Sequence, residues 1–178
     1  MDGAAANLTT NRLTLRQLEL SDADALTALR SDPQVNKYLG RPASCTKKEA
    51  ENFAQKIIKI VEDKQGYYWA ICLKDTTELI GTICYWNIVP EKGTAEIGYE
   101  LMPAYQGKGL MQEALKGVIR FGFFEAGFQT IIAMTHPDNK SSAKLLERNG
   151  FVLDEFNEFV SKENAEGLAV YVLTKAGF

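Results

Sequence analysis

The stretch Gln106-Gly107-Lys108-Gly109-Leu110-Met111 is where residue types and spacing point most directly to chemistry. It lies between an extended run that ends near Met102 and an apolar helical stripe that starts at Leu110. A strand, a glycine-rich turn and a helix N-terminus in that order make an anion site. Glycines let successive backbone N–H groups turn to one side, and the helix dipole favours negative charge there. Lys108 adds a cation. Two phosphate-loop patterns fail. Gly107 is not followed by the second glycine and the lysine of a Walker loop, and Gln112 stands where a dinucleotide fingerprint needs its third glycine. Glu96 and Glu100 have the same parity on the preceding strand, a few residues before the turn, and are candidate carboxylates. Ser142 opens a later helix, and His136 ends the strand before it.

Composition removes other chemistries. His136 is the single histidine among 178 residues, and the three cysteines, Cys45, Cys72 and Cys84, fall at no metal-binding spacing. A histidine-based zinc site is excluded on these counts, and a Ser–His–Asp triad would have to use His136. Three cysteines suit reduced thiols in a cytoplasmic protein better than a disulfide framework. Twenty Lys and Arg against 23 Asp and Glu leave a net charge of −3, which argues against direct nucleic-acid binding. No apolar run reaches a membrane span, and the N-terminal residues lack the charge and apolar core of a signal peptide.

These residues need a scaffold. With 46% hydrophobic and 24% charged residues, the chain has ordinary globular composition, and its length suits one domain, residues 11–178, behind an N-terminal arm at 1–10. Arg12–Leu18 alternates as a strand. Ser21-Asp22-Ala23-Asp24 and Thr46-Lys47-Lys48-Glu49 read as capping boxes opening helices, and Pro33 starts a short helical turn. Ala50, Phe53, Ala54, Ile57, Ile58 and Val61 repeat at helical spacing. Tyr67–Lys74, Leu79–Ile88 and Thr94–Leu101 read as strands. A helix from Leu110 stops at Gly127, and a strand runs over Phe128–Thr135. A short helix at Ser142–Arg148 ends at Asn149-Gly150. Phe151–Val160 and Leu168–Thr174 read as a closing antiparallel pair. The order β-α-α-β-β-β-α-β-α-β-β is an α+β layer fold.

Gln106 and Gly109 match Q-x-x-G-x-[GA], the acyl-CoA pyrophosphate pattern. With them stand Asn11-Arg12-Leu13-Thr14-Leu15-Arg16, Ser31-Asp32-Pro33, Leu79-Ile80-Gly81-Thr82, Ala95-Glu96-Ile97-Gly98-Tyr99-Glu100-Leu101, Pro137-Asp138-Asn139, and Asn149-Gly150-Phe151. Over residues 11–175 the chain resembles the GNAT superfamily of acetyl-CoA-dependent N-acetyltransferases. The branch it resembles is typified by the ribosomal-protein N-terminal acetyltransferases RimJ and RimL. The sequence departs from the family at Met111, where most members carry Gly or Ala, and at Leu146, where many carry a tyrosine that protonates the leaving thiolate.

The resemblance implies a GNAT-like fold, a splayed mixed sheet of about seven strands flanked by helices, that holds acetyl-CoA as cosubstrate and no metal. It implies backbone pairing of Leu101 and Met102 with the pantetheine arm. N–H groups of Gly107, Lys108, Gly109, Leu110 and Met111, beside Gln106, would hold the pyrophosphate. Asn139 and Ser142 would meet the pantetheine and its sulfur, and Lys140 and Lys144 the 3′-phosphate. Residues 106–148 carry six Lys/Arg against four Asp/Glu, whereas the rest of the chain carries 14 against 19, so the positive excess lies on the proposed cofactor half. Glu96 is the first candidate base, with Glu100 and His136 as alternatives. Ser142 either bonds the thiolate or only caps its helix. Tyr99, Trp69 and Trp86 read as core or pocket walls. The implied acceptor is a protein N-terminal α-amine. A small amine such as a polyamine, amino acid or antibiotic is the rival substrate, a non-catalytic acyl-CoA-binding regulator is the rival class, and a homodimer is compatible with either.

Overall fold

Alternating apolar positions build one sheet, and helical stripes cover its two faces. The computed structural model describes residues 7–156 and 158–178, Lys162 in its backbone only. The strands are β1 (Leu8–Thr9), β2 (Leu13–Arg16), β3 (Tyr67–Leu73), β4 (Leu79–Val89), β5 (Thr94–Leu101), β6 (Thr130–Thr135), β7 (Val152–Leu153) and β8 (Ala169–Thr174). The helices are α1 (Ala23–Ser31), α2 (Pro33–Asn36), α3 (Lys47–Glu62), α4 (Leu110–Phe124), α5 (Lys140–Arg148) and α6 (Lys162–Ala165). The sheet order is β1-β2-β3-β4-β5-β6-β8-β7. Every neighbouring pair is antiparallel except β5 and β6, which run parallel.

Each face has its own core. On one, Ile83, Tyr85, Ala95, Ile97, Ile131, Ala133 and Tyr171 pack with Ala114, Leu115, Val118 and Ile119 of α4. Leu115 and Ile119 are fully buried, and each contributes on the order of 1.5–3 kcal/mol. On the other face, Leu26 and Leu29 of α1 and Ala50 and Ala54 of α3 pack with Tyr68, Ala70 and Leu79. The box at the head of α3 forms as spaced: the Glu49 N–H donates to the Thr46 hydroxyl at 3.2 Å, and the Thr46 N–H donates to the Glu49 carboxylate at 2.7 Å.

Several elements differ from expectation. Among the described residues the sheet has eight strands, two of them only two residues long. The expected loose arm is ordered from Leu8: β1 pairs with Thr14 and Leu15, and the Thr10 hydroxyl donates to Glu113 at 2.6 Å; residues 1–6 lie outside the described residues. The box before α1 is built by Glu19 and Asp22, not Ser21 and Asp24, because a 3-10 turn at Leu20–Asp22 precedes the helix. The expected strand 151–160 ends at Leu153. The Asp154 carboxylate accepts the N–H groups of Glu158 and Phe159, both at 3.0 Å, folding the chain into a turn before α6.

The feature that positions a site is the fork between β5 and β6. They pair only over Thr94–Glu96 and Thr130–Ile132. Beyond Glu96, β5 continues to Leu101 bonded to β4 alone, and β6 runs on to Thr135 bonded to β8.

Candidate active site

The fork leaves backbone groups of β5 unmatched. Met102 donates its N–H to Ile80 O at 2.9 Å, so even-numbered residues aim their backbone groups at β4. The odd-numbered residues, Tyr99 and Leu101 among them, aim theirs into the gap. There the Gln106 amide donates to Leu101 O at 2.8 Å, leaving the Leu101 N–H for a ligand. The expectation for Met102 is corrected: its N–H serves Ile80 and its carbonyl accepts from Tyr105 N at 2.9 Å, so its backbone is already committed. A cavity of about 720 Å³ opens at the fork. Its lining includes Tyr99, Leu101, Gln106, Gly107, Gly109, Asn139 and Ser142, together with Tyr38, Leu39 and Glu100.

The glycine turn has the conformation its composition suggested. Gly107 and Gly109 both lie in the left-handed region, at φ 71° and 75°. Gly109 caps α4 with no side-chain hydrogen bond, so the first N–H groups of the helix are left to an anion. Arg12 braces the turn from behind. Its Nη1 donates to Lys108 O at 2.9 Å, while its Nε and backbone N–H donate to Glu113, each at 2.7 Å. Burial pushes the Glu113 carboxyl up, but donors from Thr10 and Arg12 outweigh it and hold the group below the usual carboxylate range. Leu110 and Met111 are buried in the core beside α4, so the departure at Met111 leaves its backbone N–H at the turn.

Asn139 Oδ1 caps α5 by accepting from Ser142 N at 3.2 Å, so its amide N–H pair is the part left for a ligand. Lys108, Lys140 and Lys144 are exposed outside the lining; Lys140 donates instead to Pro137 O at 2.9 Å. Arg148, not singled out from the sequence, is the cation of α5 in the lining.

Glu96 stands at the crotch of the fork as the last β5 residue paired to β6, with 7% of its surface exposed and outside the cavity lining, which Glu100 joins. Burial raises its pKa, and hydrogen bonds from the Asn87 amide, at 2.9 Å, and the Trp86 indole only partly oppose the rise. Both donors are neutral. Glu100 is different: its two oxygens accept from the Arg41 guanidinium at 2.9 and 2.5 Å. Both of its oxygens are thus occupied by one cation. His136 is exposed and stacked on Tyr38, with ring centroids 5.4 Å apart, outside the lining. Ser142 and Tyr99 meet in the cavity, their hydroxyls 2.8 Å apart. Burial pushes the Tyr99 phenol up to about 12 despite the Ser142 bond. Leu146 is fully buried. Trp69 is core, as expected, whereas Trp86 is half exposed and serves Glu96. Among the described residues no cluster of three or more His, Cys, Asp or Glu could hold a metal, and no helix is long and apolar enough to cross a membrane.

A mixed sheet that forks beside a glycine-capped helix is what the resemblance to the GNAT superfamily implied, and the family comparison agrees. Residues 12–152 match the model of the acetyltransferase (GNAT) domain, and the chain belongs to that family of acetyl-CoA-dependent N-acetyltransferases. It is 35% identical over 167 residues to an uncharacterized N-acetyltransferase, p20, of Bacillus licheniformis, covering 94% of each chain. It is 32% identical over 152 residues to the [ribosomal protein uS5]-alanine N-acetyltransferase of Escherichia coli, covering 81% of this chain and 77% of that one. The structure of a putative ribosomal-protein-serine acetyltransferase from Vibrio cholerae superposes with a TM-score of 0.81 at 22% identity, over 97% of this chain and 99% of that one.

Proposed function

We propose that the enzyme acetylates the α-amine of a protein N-terminus, with Glu96 as base and Ser142 as hydrogen-bond donor to the sulfur. The observation that carries this reading is Glu96 itself: a buried carboxylate at the crotch of the fork, with a raised pKa and only neutral donors around it. The activity of the Escherichia coli uS5-alanine relative supports the same acceptor class.

Acetyl-CoA supplies the activated acyl group. The protein's tasks are to align it, to take a proton from the acceptor ammonium, and to hold charge on the departing sulfur. An α-amine has a pKa of about 8, so roughly a quarter is already neutral at pH 7.5, against about 0.1% of a lysine side chain. A carboxylate with a raised pKa serves the first, whereas the second asks for a stronger base. On the sulfur side, burial pushes the Tyr99 phenol up to about 12, so it carries its proton throughout the neutral range. Either hydroxyl can donate in the Tyr99–Ser142 bond; with Tyr99 as the donor, the Ser142 O–H is left for the sulfur. The proton removed through Glu96 can then neutralise the thiolate by way of solvent.

Thiol release from acetyl-CoA is the test, with two peptides compared: one with a free N-terminal alanine or serine and no lysine, the other N-terminally blocked and carrying lysine. The first should be turned over and the second left. Preference for the blocked peptide would contradict the assignment.

A further inference from the structure

The face of β5 opposite α4 carries Glu96, Gly98 and Glu100, set against Trp86, Cys84 and Thr82 of β4. Gly98 keeps the strip between the two carboxylates low. A Cβ there would find only Cys84 Sγ at 3.5 Å and the Trp86 indole nitrogen at 4.0 Å. Four residues of strand set the Glu96 and Glu100 backbones about 13 Å apart. Two carboxylates at that spacing would suit a linear polyamine, one ammonium on each.

Arg41 removes one of them from use. It comes from the segment between α2 and α3, grips Glu100 through both terminal nitrogens, and donates its Nε to Asn36 Oδ1 at 2.7 Å. Asn36 in turn donates to Arg30 O at 2.7 Å, anchoring the assembly to the end of α1. The Arg41 and Glu100 side chains are 15% and 17% exposed, so solvent screens the pair weakly.

We propose that Arg41 is a specificity-determining residue: by neutralising Glu100 it leaves the largely buried Glu96, whose donors are neutral, as the carboxylate of this strip without a cationic partner, and so selects single amines against linear polyamines. The inference rests on the reading that the acceptor enters over this face. Arg41 touches no reacting atom; it acts through Glu100.

Calorimetric titration of spermidine into the full-length, CoA-loaded protein tests this without requiring turnover. Arg41→Ala and Arg41→Gln are run side by side, so that a loop that collapses in one does not decide the result, with circular dichroism to check the fold. Each should bind spermidine roughly tenfold more tightly than the unaltered protein, the scale of one close charge pair. Adding Glu100→Gln should return the affinity to its starting value. That double variant also cancels any spermidine held by the phosphates of CoA. No gain in either Arg41 variant would overturn the proposal, as would a gain that persists without the Glu100 charge. Turnover of the lysine-free peptide is measured on the unaltered protein in parallel. Its absence would sink the N-terminal reading and leave the spermidine comparison intact.

Discussion

Replacing Gly109 with alanine isolates the backbone geometry of the cofactor turn. The added Cβ would meet only Arg12 Nη2, at 3.5 Å, which is ordinary contact. The cost therefore comes from φ, 75° at this position. An L-residue held there costs about 1–2 kcal/mol. The variant has two outlets. If the turn relaxes in the free protein, the N–H groups of Leu110 and Met111 swing away and must be drawn back on binding, which weakens CoA about 5–30-fold. If the turn stays, Arg12 and Glu113 hold the strain, and the loss appears as a Tm lower by about 2–8 °C for a chain of this size. Calorimetry with CoA and a thermal melt on the same sample read both outlets, and their sum should reach at least about 1 kcal/mol. Unchanged affinity together with an unchanged Tm would refute the account of the turn. Aspartate at this position is a less clean probe, because its carboxylate could draw Arg12 away from Glu113.

Glu113→Ala should lower stability by about 1–2 kcal/mol at neutral pH, since it unties Thr10 and a half-exposed Arg12. Because the folded carboxyl titrates below its unfolded value, the penalty should be full above about pH 5 and fade as acid protonates it, which melts from pH 3 to 7 would show. Glu96→Gln should work in the opposite sense. A raised folded pKa makes the ionised group a burden above that pKa, so the variant should gain Tm at pH 8 and little at pH 4. Ser142→Ala should cut kcat by roughly tenfold with little change in CoA affinity. Tyr99→Phe should do less, because Tyr99 acts through Ser142; a raised KM with kcat unchanged, in either variant, would point to a binding role instead.

Local pattern made much of this molecule legible. The α3 box and the left-handed glycines are short-range features, and residue type and spacing specify them. Glu96 could be placed on the right strand from its alternation. Its neighbours could not be found this way, because Trp86 and Asn87 reach it by strand pairing and their spacing carries no sign of that. Arg41 is invisible for the same reason: 59 residues separate it from Glu100, and only the folding of the α2–α3 segment over β5 joins them. The lysines show how little charge and spacing say about side-chain direction. Lys108 in the glycine turn and Lys140 and Lys144 on α5 are exposed outside the cavity lining, whereas Arg148 of α5 is part of it. The Phe151–Val160 run looked like a strand because its alternation outweighed the turn chemistry of Asp154.

The pH dependence of the Glu96→Gln variant is the most direct test of a carboxylate at the fork acting as base. With an N-terminal peptide as acceptor, kcat should fall roughly 10–100-fold near pH 7, the lower part of the usual general-base range because the amine is partly neutral already. Above about pH 9 the acceptor needs no help, and the defect should shrink toward nothing while acetyl-CoA affinity stays the same throughout. A defect of equal size at pH 7 and pH 9.5 would make Glu96 a residue that positions the acceptor, and full activity at both would remove it from the chemistry.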